Sequence, residues 1–369
     1  MLISESEGKR VMVHRQINRR IRLVGICLAL VLASAACGGG SEETASPRTG
    51  SGSGSGSGEA TQVKFGNIGV PIVYGSIMML VADEEGFLDK YNLDVTFQTF
   101  ANGADSVRAV IGGGVDAALT ATSPTVNVTA KGAKVKGVIG MDKPDYYVAS
   151  TDPNIKTCED LKGQTIGVDA TGGAKYNSTV TILASCGLKL SDVKLVNFAG
   201  PPVIQALAQG QIKVALLHYD EEALVEATSD LNVEEVVSLV KVRPNTHYVM
   251  MVATPEYIEK NRDTVIRLTA AYIEAGNFIT DPANTDRFVE IASKYTKQPV
   301  DVAKQSIELF LDFGFWQQEG AGLTEEKVMG VVQEQLAAGA FTEAEAPAYE
   351  DFVDPTIYPE ALELVESSS

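Results

Sequence analysis

A unit of helix, glycine stop and short apolar strand is written twice in this chain, and it constrains the fold more than any other feature. Residues 106–122 read Ser-Val-Arg-Ala-Val-Ile-Gly-Gly-Gly-Val-Asp-Ala-Ala-Leu-Thr-Ala-Thr, and residues 204–222 read Ile-Gln-Ala-Leu-Ala-Gln-Gly-Gln-Ile-Lys-Val-Ala-Leu-Leu-His-Tyr-Asp-Glu-Glu. Gly113, Asp116, Ala118 and Leu119 stand at one constant offset from Gly210, Lys213, Ala215 and Leu216. A duplicated α/β unit predicts two similar lobes with a ligand between them.

Alternating apolar positions bounded by turn residues predict strands at 62–70, 92–100, 115–120, 134–141 and 145–150, with helices at 104–111 and 124–131 between them. The second copy starts near 160. There Ile166-Gly-Val-Asp echoes Ile68-Gly-Val-Pro, a loop at 170–174 opens a helix, and strands follow at 192–197 and 212–217. Beyond 233–239, residues 247–253 form an apolar strand with no counterpart in the second copy, which we read as a return crossing. Helical periodicity then runs through 255–261, 262–281, 285–295, 300–311 and 325–338, and these helices are expected to wrap the first lobe. The expectation is an α/β protein of two doubly wound lobes: lobe I at 62–146 and 248–369, lobe II at 147–247, joined by a two-strand hinge.

The N-terminal region is expected to lie outside the fold. Lys9, Arg10, Arg15, Arg19, Arg20 and Arg22 precede an apolar run at 23–36, shorter than the ~20 residues of a spanning helix, so residues 1–36 read as an export signal. The small residues before Cys37 resemble a bacterial lipobox, with Ser34 where leucine is commonest, so residues 1–36 are expected to be a lipoprotein signal peptide and Cys37 the lipidated residue. Residues 37–61 are a Gly/Ser-rich tether, with an unbroken Gly-Ser alternation at 50–58 that a cloning linker would also give. Without residues 1–36 the chain holds 24 basic and 46 acidic residues, a formal charge of −22, which argues against nucleic acid as a partner. With Cys27 in the signal and Cys37 the lipid site, Cys158 and Cys186 remain as a pair. In an exported chain a disulfide is the default and two buried free thiols the alternative.

The segments at 86–95 (Gly-Phe-Leu-Asp-Lys-Tyr-Asn-Leu-Asp-Val), 114–118, 160–168, 209–215 and 349–354 (Tyr-Glu-Asp-Phe-Val-Asp) carry a family likeness. Together they resemble the solute-binding lipoproteins of ABC transporters for nitrate, sulfonate, taurine and thiamine-precursor pyrimidines. Lys213 departs from the aspartate usual there. The resemblance implies a type II periplasmic-binding-protein fold, a small-molecule ligand, an ABC permease and ATPase as partners, and a monomer lipid-anchored to the outer face of the bacterial cytoplasmic membrane. A ligand-sensing ectodomain serving a membrane receptor is the alternative of another class.

In such a fold ligands sit at strand C-termini and helix N-termini. That rule selects Tyr74, Gly75 and Ser76 after the first strand, Thr122 and Ser123 after the third, Asp169, Thr171, Gly172 and Gly173 at the start of lobe II, and His218, Tyr219 and Glu222 after the second copy. Tyr146 on the crossing is a further candidate. The Gly-rich loop would cradle a polar or anionic group on its backbone. His218, Tyr219 and Glu222 match the aromatic-aromatic-x-x-Glu arrangement with which the pyrimidine-binding branch of the family this chain resembles holds a flat, amine-bearing ring, and a sulfonate or taurine-type ligand, or another aromatic or vitamin ligand, is the alternative. The same acidic run is also what a helix N-terminus favours.

No His-Glu-x-x-His, Gly-x-Ser-x-Gly or Cys-x-x-Cys signature is present, and only His218 and His247 remain outside the signal. One branch of this fold makes a pyrimidine from pyridoxal phosphate, but its cysteine-rich motif is missing. We therefore expect a binding protein, with no enzyme activity, cofactor or metal.

Overall fold

A computed structural model describes residues 59–368 except 142, 199–201 and 317–319. The expected signal, Cys37 and all but the last residues of the tether lie outside the described residues. Ten strands form two five-stranded sheets. The first contains β1 (Thr61–Ile68), β2 (Leu93–Phe100), β3 (Ala117–Ala121) and β4 (Lys136–Met141); the second contains β5 (Tyr147–Ser150), β6 (Thr165–Val168), β7 (Lys194–Asn197), β8 (Val214–Leu217) and β9 (Glu234–Ser238). The last strand, β10 (Val249–Ala253), returns to the first sheet. The orders are β2-β1-β3-β10-β4 and β7-β6-β8-β5-β9.

These orders are one topology used twice. β1 runs parallel to β2 and β3, and β6 parallel to β7 and β8. β10 lies antiparallel between β3 and β4, as β5 does between β8 and β9. Each sheet therefore takes its one antiparallel strand from the segment that has just left the other sheet. β3 and β8, the strands of the written repeat, hold the same place in their sheets.

Small residues set the register in both copies. Gly66 on β1 pairs with Ala118, and Gly167 on β6 pairs with Ala215. A Cβ on Gly66 would lie 2.7 Å from the Ala118 Cβ, and one on Gly167 would lie 2.6 Å from Ile212 Cδ1, so neither site has room for a side chain. This pairing makes Gly167 the counterpart of Gly66. The echo between Ile166-Gly-Val-Asp and Ile68-Gly-Val-Pro is therefore displaced by three residues from the equivalence the structure contains.

Both sheets are covered on both faces. Val107, Val110 and Val126 meet Val328, Val331 and Val332 against one face of the first sheet, while Val203, Leu207 and Val225 cover the outer face of the second. The largest core joins the remaining faces to the C-terminal helices. In helix Arg262–Thr280, Val265, Leu268, Tyr272, Ala275 and Ile279 recur at helical spacing and are all buried. Full burial of a side chain such as Leu268 contributes about 2–3 kcal/mol. The C-terminal helices do more than wrap the first sheet, because Val300–Phe313 also packs on Tyr219–Thr228 and Glu325–Ala337 also touches Ala174–Ser185.

Cys158 and Cys186 are bonded, with Cα atoms 5.5 Å apart and 28 positions between them in sequence. Closing a loop of that size in the unfolded chain contributes about 3 kcal/mol in the chain-entropy account. No described helix is long and apolar enough to cross a membrane.

Candidate functional site

A cavity of about 430 Å³ opens between the two sheets, within the range of small-molecule sites. Its walls are strand ends. The loop from Ile68 to Val73 leaves β1, Ala121 ends β3, Asp169 follows β6 and His218 follows β8, while Tyr146 and Tyr248 come from the two crossings and Gln298 from the C-terminal helices. Val70, Ile72, Val73, Val203, Ile204 and Leu224 make much of the lining apolar.

The polar part is built around the N-terminus of helix Tyr219–Thr228. His218 is its cap residue, with extended backbone, and its amide donates to Glu221 Oε2 at 2.9 Å. His218 Nδ1 lies 2.8 Å from Asp145 Oδ1, and its ring centroid is 4.6 Å from that of Tyr146. Lys175 Nζ donates to both oxygens of Glu221, at 2.7 and 2.5 Å, with both side chains nearly out of solvent. Asp220 Oδ2 accepts from Gln298 Nε2 at 2.8 Å.

Four carboxylates, Asp145, Asp169, Asp220 and Glu221, thus meet two cations, Lys175 and His218. Lys297 adds an exposed amine at the rim, and that amine donates to the Lys294 carbonyl. The imbalance appears in the ionisation of the groups. Burial, reinforced by the neighbouring Glu221, pushes Asp220 up to about 7. Burial also raises Asp169, against the two amides that it accepts. For Glu221 burial acts upward, but Lys175 and His218 outweigh it and hold the group below the usual range. Burial opposes charge on His218, yet the Asp145 carboxylate prevails and keeps the imidazole above its ordinary value.

A pH dependence follows. Asp220 and His218 both bind their proton more tightly folded than unfolded, so both contribute stability at low pH that is lost as pH rises. Asp220 loses its share between about pH 4 and 7, His218 from its unfolded value near 6.5 upward. Carboxylates held low, such as Glu221, have already reached full effect by pH 5.5. Unliganded protein is therefore expected to lose about 1–2 kcal/mol of stability between pH 5.5 and 8 through Asp220, read as a falling Tm, and Asp220→Asn should flatten that fall.

Of the residues selected from sequence, Tyr146, Asp169 and His218 line the cavity. The others lie elsewhere for identifiable reasons. Tyr74 is buried against Phe310 and donates to Gln298 Oε1 at 2.8 Å; Gly75 lies against the Tyr248 ring; Ser76 Oγ accepts from the Ile68 amide. It is the earlier part of that loop, from Ile68 to Val73, that reaches the cavity. Thr122 Oγ1 contacts His247 Nδ1 at 2.7 Å, and Ser123 Oγ accepts from Asn177 Nδ2 at 3.3 Å.

The Gly-rich loop is filled by the protein itself. Asp169 accepts from the amides of Lys175 and Tyr176 at 3.1 and 2.7 Å, which caps helix Ala174–Ser185 with a carboxylate where an anionic ligand was expected. Gly173 is small because a Cβ there would lie 2.3 Å from Asp169 Oδ2. Thr171 Oγ1 accepts from Asn197, and the Gly172 carbonyl from Asn177.

Tyr219 and Glu222 are turned away by helical phase. At a spacing of three they share one face, on which Tyr219 stacks on Tyr147 with centroids 4.9 Å apart and Glu222 accepts from the Tyr147 hydroxyl at 2.9 Å. His218, at the cap, and Asp220, Glu221 and Leu224 in the first turns of the helix face the cavity. Sequence reading missed Asp145, Lys175, Asp220, Glu221, Tyr248 and Gln298. The helix start at Tyr219 was a usable signal for Glu221; nothing local marked Asp145, Tyr248 or Gln298.

Residues 75–284 match the model of a family described as NMT1/THI5 like. A Brucella abortus protein whose name makes it a candidate binding protein is 26% identical over 274 residues, 72% of this chain and 79% of its own length. A ligand-binding component of an ABC-type import system from Staphylococcus aureus, solved with zinc, superposes with a TM-score of 0.65 at 18% identity, over 82% of this chain and 99% of that one. The alkanesulfonate-binding protein SsuA of Xanthomonas axonopodis pv. citri, bound to MOPS, gives 0.66 at 14% identity, over 81% and 100%. The architecture is the type II periplasmic-binding-protein fold.

Proposed function

The chain belongs to the NMT1/THI5-like family, and from that premise we propose that it is the extracytoplasmic solute-binding component of an ABC importer for a small organic amine. The names of the similar proteins support the transport part of this reading. The ligand class rests on one observation: Asp169, Asp220 and Glu221 line apolar walls, with Asp145 buried behind them, while Lys175 and His218 are already paired to Glu221 and Asp145. Asp145 Oδ2 is buried without a hydrogen-bond partner, and Asp220 keeps its proton into the neutral range. A cationic ligand neutralises this excess; a sulfonate or nitrate adds to it. The Tyr146 and Tyr248 rings, set edge to face at 5.4 Å, suit a ligand with a flat apolar body.

Two crossings, one near Tyr147 and one near Tyr248, join lobe II (147–247) to lobe I and act as the hinge. Because the cavity has walls on both sides of them, ligand favours the closed form, which then docks on the permease. Cys37 carries the lipid anchor, and the tether at 37–61 gives the monomer its reach. A thermal-shift screen of amines paired with sulfonates of the same carbon skeleton tests the ligand class. A ligand at ~100 times its Kd adds about 2.7 kcal/mol, so an amine should raise Tm where its sulfonate partner does not.

A further inference from the structure

We propose that Gln298 is a latch that fastens the cleft shut, a positioning residue that joins the C-terminal helices to Asp220 on the far wall. Its backbone setting is unusual. Helix Thr285–Thr296 ends on Lys297 with φ 61°, a left-handed conformation that side chains other than glycine and asparagine rarely adopt, and Pro299 follows as the cap of the next helix. That turn sends Gln298 inward, where it is 4% exposed.

All its polar groups are engaged. The amide N donates to Thr296 Oγ1 and the carbonyl accepts from Ser293 Oγ. Oε1 accepts from the Tyr74 hydroxyl at 2.8 Å and from Ser306 Oγ at 3.5 Å, while Nε2 donates to Asp220 Oδ2 at 2.8 Å. Ionised Asp220 can only accept, so in that state the amide has one workable orientation: acceptor toward Tyr74 and Ser306, donor toward Asp220. Tyr74 and Ser306 belong to the side of the first sheet; Asp220 follows β8 in the second. On another flank Asn177 donates to Ser123, which also joins the two sides. Opening the cleft must break both links, and the Gln298 link becomes the charge-assisted one once Asp220 is ionised.

The functional meaning of the latch rests on the cavity's being the ligand site; its test does not, since it uses protein without added ligand. Spin labels on unnatural amino acids at exposed Lys304 and Lys194 of the full chain, in detergent, report the interlobe distance by pulsed electron paramagnetic resonance. Wild type should give one short-distance population. Gln298→Ala should raise the open-to-closed ratio about tenfold. Gln298→Glu, measured at about pH 8 where Asp220 is ionised, should do at least as much, because it faces Asp220 with a like charge. Combining Gln298→Glu with Asp220→Asn reverses donor and acceptor across the same gap and should restore the short distance. Identical distributions for wild type and Gln298→Ala would overturn the proposal, as would a double variant no nearer wild type than Gln298→Glu alone. If Gln298→Ala fails to fold, the near-isosteric swap decides the matter.

Discussion

Lys175→Met should lower the stability of the unliganded protein by about 3–5 kcal/mol, the cost of leaving a buried charge without its partner. Lys175 and Glu221 are each close to nine-tenths shielded, and the ammonium bonds both carboxylate oxygens. Glu221 also accepts the His218 amide, which closes the first turn of its helix, so its carboxylate cannot swing out to water without freeing that amide. Removing Lys175 leaves Glu221 without the cation that bonds both its oxygens, among the buried Asp145, Asp169 and Asp220. The expected readout is a fall of roughly 5–8 °C in Tm at pH 7. Adding Glu221→Gln to Lys175→Met should recover most of the loss, because a neutral side chain can still accept the His218 amide. A small loss in the single variant, or no recovery in the double, would mean that water reaches this pair freely.

The scaffold was far more legible than the site. Alternating apolar residues and glycine stops are local signals, and they indicated eight of the ten described strands, the return of β10 among them. The duplicated unit marked β3 and β8 as equivalents because both must place a small residue, Ala118 or Ala215, beside a glycine. The echo at 166–169 misled by three residues, since identity of short strings says nothing about which residues face each other in a sheet. At the site, direction mattered more than identity. Residues 218–222 were recognised as a polar cluster, but a helix starting at Tyr219 sends Tyr219 and Glu222 to Tyr147 and brings Asp220 and Glu221 to the cavity. The Gly-rich loop had the composition of an anion cradle, yet Asp169, a few residues earlier, supplies the anion itself. Tyr248 and Gln298 reach the cavity, and Asp145 reaches His218 behind it, from distant parts of the chain, where long-range topology alone assembles them.

The second large effect concerns ligand. Asp220 is the carboxylate with least internal compensation: its partner is a neutral amide, and burial with Glu221 beside it holds its proton up to about pH 7. A cationic ligand supplies the missing charge and should pull that group below its free value, so binding must release a proton near neutrality. Truncating one member of a desolvated charge pair costs about 2–5 kcal/mol of binding, so Asp220→Ala should weaken an amine ligand at least about thirtyfold. Glu222→Ala, facing Tyr147 on the other side of the helix, should leave affinity within a factor of about two.

Isothermal titration calorimetry of the best-stabilising amine against wild type and Asp220→Asn, repeated in two buffers of different ionisation enthalpy at pH 7, tests the central claim most directly. We expect tight binding to wild type with net proton release, and weak binding with no linked proton to Asp220→Asn. Tight binding of the matched sulfonate to wild type, left unchanged or strengthened by Asp220→Asn, would contradict it.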